Sequence, residues 1–450
     1  MKKLLPLLAI IYCQIQEINA QSPILDSYIQ QGIESNLALK QQNLELEKAL
    51  KAIDIAKSNF SPKISFNPNY TLALGGRRLQ FPVGDLLNPV YSTLNKLTQS
   101  NNFPQIENVN EQLAPNNFHE TKFSVQYPIY NTDIKYNLLI QKELLQTEEA
   151  KKKVLEYELR HNITIAYYQY LQVLEGIKII ENSKDFLNRF LQLNQKLVTN
   201  NVATKEVILS AEYEISKLDQ ELATMEKNKS IAKSYFNFLL NRDLNEKVEV
   251  DAEFAKTLPI VENLEDLKQK SLISRPEFNQ LRAGVQVSQT AIKMQEMNAK
   301  YPQLFVGGSL GFQGFGYTFK DQTYGIAQIG LNWDLYHGKE KQHKIQQAKI
   351  QKNILETKID EVKNQVKMQV AQAYYELAAS KEILDDAKVN INKTEGILKI
   401  VESKYKNGSA IYIEVLKAQN DDLVAKMTES VNRFDVWVKK AMLDKVSGKN

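Results

Sequence analysis

Apolar residues in this chain recur with two periods. From Ile163 they step by three and four, through Ala166, Tyr170, Val173, Ile177, Ile180, Lys184, Leu187, Leu191 and Asn194 to Val198. The same steps return 207 positions later, from Val370 through Ala373, Leu377, Ser380, Leu384, Ala387, Ile391, Thr394, Leu398 and Val401 to Tyr405. This is a heptad seam in one register in both halves. A second row, Phe186, Phe190, Leu193 and Leu197, runs beside the first, so the helix packs on neighbours at two sides. Elsewhere the period is two. Thr121, Phe123, Val125, Tyr127 and Ile129 alternate with Lys122, Ser124, Gln126 and Pro128. Ala327, Ile329, Leu331, Trp333 and Leu335 alternate with Gln328, Gly330, Asn332 and Asp334, and Ile64 to Leu74 and Leu304 to Phe312 alternate more loosely. Runs of about ten residues with one apolar and one polar face have the length of tilted transmembrane strands.

The second half repeats the first. Ala166-Tyr167-Tyr168 recurs as Ala373-Tyr374-Tyr375, and Leu209-Ser210-Ala211 as Leu416-Lys417-Ala418. Ser61-Pro62 answers Tyr301-Pro302 at an offset of 240, so the first copy carries extra length from about Gly75 to Asn117. Helices are predicted at Ile24–Asn59, Asp133–Leu197 and Lys205–Leu240. In the second copy they fall at Leu267–Ala299 with a break at Pro276, Glu340–Lys406 and Ile411–Val446. At 1.5 Å per residue, Asp133–Leu197 spans about 100 Å. The expected organisation is an export signal (1–20) and a first repeat (21–243) with a β-hairpin at 63–130, its insertion at 75–117 and a helical hairpin at 133–240. A linker (244–266) leads to a second repeat (267–450) with a β-hairpin at 304–336 and a helical hairpin at 340–446.

Lys2-Lys3, the short apolar run Leu4 to Tyr12 and Ala20 before Gln21 read as the export signal. Cys13, the only cysteine, is a lipid-attachment candidate, but Tyr12 stands where that signal places a small residue. Cleavage after Ala20 removes Lys2, Lys3 and Glu17, lowers the net charge from +4 to +3 and leaves no thiol. That near-neutral balance argues against a nucleic-acid partner. No run of 18 apolar residues follows, so a membrane would be crossed by strands. Four strands cannot close a membrane barrel, which begins at about eight, so several chains must share one. Tyr127, Tyr130, Trp333 and Tyr336 cluster where strand meets helix, as an interfacial aromatic belt would.

Enzyme signatures are missing. Gly311-Phe312-Gln313-Gly314-Phe315-Gly316 opens no helix, and its strand context favours glycines that make room for aromatic neighbours. His119, His161, His337 and His343 make no i,i+4 metal pair, so neither metal nor cofactor is expected. The turns concentrate the interest. Gly408 suits a tight reversal that needs positive φ, and its counterpart is Asn201.

The chain resembles the TolC family of outer-membrane efflux channels over essentially its whole mature length. The resemblance rests on the duplicated helix–hairpin–helix layout and on two signatures. One is the strand-to-helix junction, Gln126-Tyr127-Pro128-Ile129-Tyr130 and Asn332-Trp333-Asp334-Leu335-Tyr336. The other is Tyr405-Lys406-Asn407-Gly408-Ser409-Ala410-Ile411-Tyr412-Ile413-Glu414-Val415-Leu416-Lys417-Ala418-Gln419, similar to the family's Tyr-x-x-Gly-x-x-x-x-x-Asp-Val-Leu-x-Ala-Gln stretch. The resemblance implies a mainly α fold with a membrane β-barrel portion. It implies a homotrimer in the outer membrane, each protomer giving four strands to a shared twelve-stranded barrel and four helical strands to a periplasmic tunnel. Such a channel is a passive exit duct of a tripartite efflux or type I secretion system, reached by an inner-membrane pump through a periplasmic adaptor. It also implies that the turns Asn201-Val202-Ala203 and Gly408-Ser409-Ala410 dock the adaptor, that Tyr405 belongs to the gate's hydrogen-bond network, and that Glu414 lines the narrow end.

The chain departs from that pattern in three places. Ala410 replaces a basic gate residue, Lys417 a second acid, and Val207 the first repeat's acid, with Glu206 adjacent. The family's gate ion pairs therefore do not carry over, and Glu414 and Lys417 read equally as gate lining or as a solvated i,i+3 pair. The alternative function is a periplasmic coiled-coil adaptor or scaffold. An adaptor would insert one helical hairpin into a β-rich body, whereas here strands sit inside each helical repeat.

Overall fold

A computed structural model of the chain describes residues 22–251 and 258–449; the predicted export signal lies outside the described residues. The first run of elements is α1 (Pro23–Ser35), α2 (Leu37–Ser58), β1 (Lys63–Thr71), β2 (Arg78–Phe81), α3 (Val83–Thr98), β3 (Val109–Gln112), β4 (Phe118–Tyr130), α4 (Thr132–Thr199) and α5 (Glu206–Leu239). The second is α6 (Leu264–Ser274), α7 (Pro276–Lys300), β5 (Gln303–Phe315), β6 (Thr323–Asn332), α8 (Glu340–Lys406) and α9 (Tyr412–Ser447). Apart from β2, α3 and β3, the order is the same.

The single helix expected over Ile24–Asn59 is two. Asn36 adopts extended geometry (φ −64°, ψ 130°), and its Oδ1 accepts the Ala38 amide at 2.9 Å, capping α2. Arg275 interrupts the second copy in the same way (φ −67°, ψ 126°), where Pro276 rules out a continuous helix. A second correction concerns the insertion. From the sequence a short helix is expected in the insertion near Val90 to Leu97; the helix observed begins earlier, at Val83, and keeps Pro89 inside. Trp333, Asp334 and Leu335, expected in a strand, follow the end of β6.

The chain forms two compact units, and each repeat contributes to both. One takes residues up to 49, 143–286 and from 353 on; the other takes 50–142 and 287–352. In the first unit the heptad seams are the core. Ile163, Ala166, Ile177, Ile180 and Leu187 of α4 are buried, as are Val370, Ala373, Leu377, Leu384 and Ala387 of α8. Apolar clusters join α4 to α5 and α9, and α8 to α9. Polar links follow the same neighbours: Lys184 pairs with Asp219 (α4–α5), Ser183 accepts from Gln419 at 2.6 Å (α4–α9), and Lys426 pairs with Glu395 at 2.9 Å (α9–α8). The helical layer is therefore ordered α5–α4–α9–α8.

Both ends of this layer are apolar on their free side. On α8, Met368, Tyr375, Ile383, Ile397 and Ile400 are exposed, on the face opposite the buried seam. On α5, Leu209, Tyr213, Ile231, Tyr235 and Phe238 form the corresponding exposed stripe.

Between α4 and α9, His161 is partly buried near Lys445, and burial first, then that charge, lowers its pKa from 6.5 to about 4. The unfolded chain binds the proton near 6.5 and the folded chain only near 4, so stability should fall as pH drops through that window. Discounted for partial exposure, the loss is about 1–2 kcal/mol. Thermal melts at pH 7 and pH 4.5 should differ by less in His161→Gln than in the parent; an equal difference would contradict the assignment.

The second unit holds the strands. A four-stranded antiparallel sheet has the order β1–β4–β5–β6, so β1 and β6 pair on one side only. Val125 pairs with Ile64 and Gly308, Phe123 with Phe66 and Leu310, and Tyr127 with Val306, which pairs with Ile329. These residues share one face. Ser65, Lys122, Ser124, Gln126, Ser309 and Gln328 share the other. The apolar face is bare: Phe123 is 58 % and Ile329 76 % exposed. Of the strand glycines, Gly330 makes room for an aromatic ring, since a β-carbon there would strike Phe305 of β5.

Candidate functional site

The two helical hairpins turn with the same backbone device. After α4 the Val202 amide donates to the Leu197 carbonyl (2.9 Å) and the Asn201 amide to the Val198 carbonyl (3.0 Å). After α8 the Ser409 amide donates to the Lys404 carbonyl (2.8 Å) and the Gly408 amide to the Tyr405 carbonyl (3.0 Å). These are paired six-to-one and five-to-two closures around a left-handed residue, Asn201 at φ 56° and Gly408 at φ 72°. Asn201, Val202, Gly408 and Ser409 are exposed; Ala203 and Ala410 are half-buried.

No atom would meet a β-carbon at Gly408, so a substitution acts there through backbone strain alone. Gly408→Asn should behave as the parent, because asparagine already serves at Asn201. Gly408→Leu should cost about 1–2 kcal/mol at the turn and reduce export while the assembly persists in the membrane. Normal export by Gly408→Leu would remove the turn from the docking account.

Just above the turns the two hairpins are tied together. The Tyr405 hydroxyl donates to Asn194 Oδ1 at 2.5 Å. Asn194 is wholly buried, and its amide nitrogen donates to the Phe190 carbonyl at 2.8 Å. The Phe190 ring stacks on Tyr412 (5.4 Å, 11°) and leans on Tyr405 (5.1 Å). Burial raises the Tyr405 phenol pKa, so it remains a neutral donor at neutral pH. Asn194 stands in the sequence as a polar member of an apolar seam, a signal that could have pointed to a partner.

Glu414 and Lys417 do not pair. Glu414 reaches back 3.0 Å to the Ile411 amide and caps α9, while Lys417 is exposed. Because Ile411 has no side-chain oxygen, this is half of a capping box.

Tyr127, Tyr130, Trp333 and Tyr336 are exposed at the helix end of the sheet. Tyr130 meets Tyr301 edge-on at 6.2 Å, beside a bulge between Pro128 and Tyr130. Sequence reading missed a second aromatic group at the opposite end. There Tyr70 pairs with His119, and Tyr317 and Phe319 of the β5–β6 turn pack on the His119 ring (4.8 and 5.9 Å). His119 Nε2 lies 2.6 Å from Gln322 Oε1 and 3.0 Å from the Thr318 carbonyl, so it donates to that turn. The spacing from His119 to Tyr130 is about 36 Å of strand, or about 25–30 Å along the normal at membrane-barrel tilts.

Among the described residues no helix is long and apolar enough to cross a membrane, and no group of His, Cys, Asp and Glu could hold a metal ion. Residues 267–448 match the family model described as outer membrane efflux protein. No curated protein matches the sequence at significant similarity. Three solved structures share the fold over nearly the whole chain. VceC of Vibrio cholerae is 14% identical, with 94% of this chain and 96% of that one covered and a TM-score of 0.69. The Campylobacter jejuni CmeC channel is 13% identical (95% and 86% covered, TM-score 0.69). The open-state Neisseria gonorrhoeae MtrE channel is 14% identical (95% and 89% covered, TM-score 0.71). By sequence, residues 267–448 thus match the outer membrane efflux protein family, and the whole chain shares the fold of these solved structures.

Proposed function

We propose that this chain is one protomer of a trimeric outer-membrane exit duct that passes substrates delivered by an inner-membrane pump through a periplasmic adaptor. One observation carries the reading. The chain holds two four-element layers, β1–β4–β5–β6 and α5–α4–α9–α8, and neither is closed. Each has unsatisfied edges, β1 and β6 in backbone hydrogen bonds, α5 and α8 in exposed apolar stripes. Copies of the chain satisfy both, β6 against the next β1 and α8 against the next α5. Three copies give twelve strands and twelve helical strands.

The bare face around Phe123, Val125 and Ile329 then meets lipid, and the face around Lys122, Ser124 and Gln126 lines the lumen. Tyr127, Tyr130, Trp333 and Tyr336 form the periplasmic aromatic belt, and Tyr70, Tyr317 and Phe319 the outer one. The turns at Asn201-Val202-Ala203 and Gly408-Ser409-Ala410 meet the adaptor. The constriction lies near them, with Tyr405 locking the second hairpin to the first and Glu414 and Lys417 toward the axis. The duct performs no chemistry; the pump supplies the energy.

Density-gradient separation of membranes tests the location. The chain is expected with the outer membrane and released only by detergent. Recovery in the soluble periplasmic fraction would favour the adaptor or scaffold reading instead.

A further inference from the structure

The insertion between β1 and β4 is built around a helix that is fastened by its polar side. Asn88 of α3 exchanges two hydrogen bonds with the Ile106 backbone (2.9 and 2.8 Å), and Asn95 does the same with Phe103 (2.7 and 3.0 Å). The Asp85 amide donates to Asn108 Oδ1 at 3.0 Å. Gly84 completes the seat, because a β-carbon there would collide with the Ile106 carbonyl. This orientation turns the apolar side outward. Leu86, Val90 and Leu97 lie on one stripe and are 64 %, 51 % and 77 % exposed. The helix's two charges, Asp85 and Lys96, lie off the stripe.

We infer that the α3 helices of the copies sharing one barrel pack on one another through this stripe at the outer mouth. The inference rests on the shared-barrel reading. The insertion leaves from Thr71 at the end of β1, an open edge strand, so each copy's insertion rises beside the junction with its neighbour. No like charges oppose burial of one stripe against another. A membrane-surface helix would carry a lysine- and arginine-rich polar face; α3 has one lysine and a polar face of asparagine, serine and threonine.

The chain's only cysteine, Cys13, lies in the predicted export signal, so Val90→Cys or Leu97→Cys adds a single thiol to the mature chain. Each variant is purified in detergent, its oligomeric mass is measured, and a short bis-maleimide is added. Covalent dimers are expected from both, and far fewer from Lys96→Cys, about 100° round the helix from Leu97. Intact oligomers without cross-links at 90 and 97 overturn the inference and leave the assembly standing. A chain that forms no oligomer removes both. Quenching of a fluorophore attached to the new thiol of Leu97→Cys by nitroxide lipids, without cross-linking, would place the stripe on the membrane and also overturn it.

Discussion

Arginine at position 125 is expected to remove the chain from the outer membrane, whereas glutamate at position 126 leaves it there. The two residues are neighbours on β4, but their side chains leave the sheet on opposite faces. Val125 lies mid-strand between Ile64 and Gly308, on the bare apolar face. An arginine facing lipid at the midplane costs about 2–4 kcal/mol per site, and the proposed shared barrel would carry the change in every copy. Gln126 pairs with Lys63 on the polar face, where a carboxylate finds water and a cation. Heat-stable oligomer in purified outer membranes measures the difference. Equal recovery of Val125→Arg and Gln126→Glu would mean that the face is not lipid-exposed.

Tyr405→Phe is expected to open the duct. It leaves the packing against Phe190 in place but takes away the donor that serves Asn194 Oδ1, a wholly buried acceptor. An orphaned buried acceptor costs about 1–3 kcal/mol, all of it in the closed arrangement that ties α8 to α4. Single-channel conductance in planar bilayers should rise. Asn194→Ala should do the same, and the double variant should add little, since both remove one bond. Additive effects, or none, would mean that the hairpins are held elsewhere. With Glu414 engaged at the Ile411 amide and no ion pair to Lys417, the proposed closure is expected to depend on this bond and on the aromatic stack rather than on acid–base pairs.

Much of this arrangement was legible because it is periodic. A seam that repeats by three and four must bury one side of a helix, and α4 and α8 bury those positions. Alternation over ten residues predicted the two faces of the sheet, since a strand's side chains cannot do otherwise. What escaped the sequence was decided by single contacts. Asn36 breaks the first helix by capping the next, a role that its twin beside Pro276 advertised more plainly. The helix expected near Val90 to Leu97 starts earlier, at Val83, with Pro89 inside it, and Asn88 and Asn95 anchor it to the following loop. Tyr405 was noticed through the family resemblance, but its partner Asn194 lies 211 positions away, and only the packing of α8 near α4 brings them together. The aromatic cover over His119 was equally hidden, because it depends on how the β5–β6 turn folds back onto the sheet.

The proposal that copies of the same chain complete the two open layers is tested most directly by the mass of the detergent-extracted particle. Native mass spectrometry of protein released from outer membranes should give three chains per particle. A monodisperse monomer that stays in solution without detergent would contradict it.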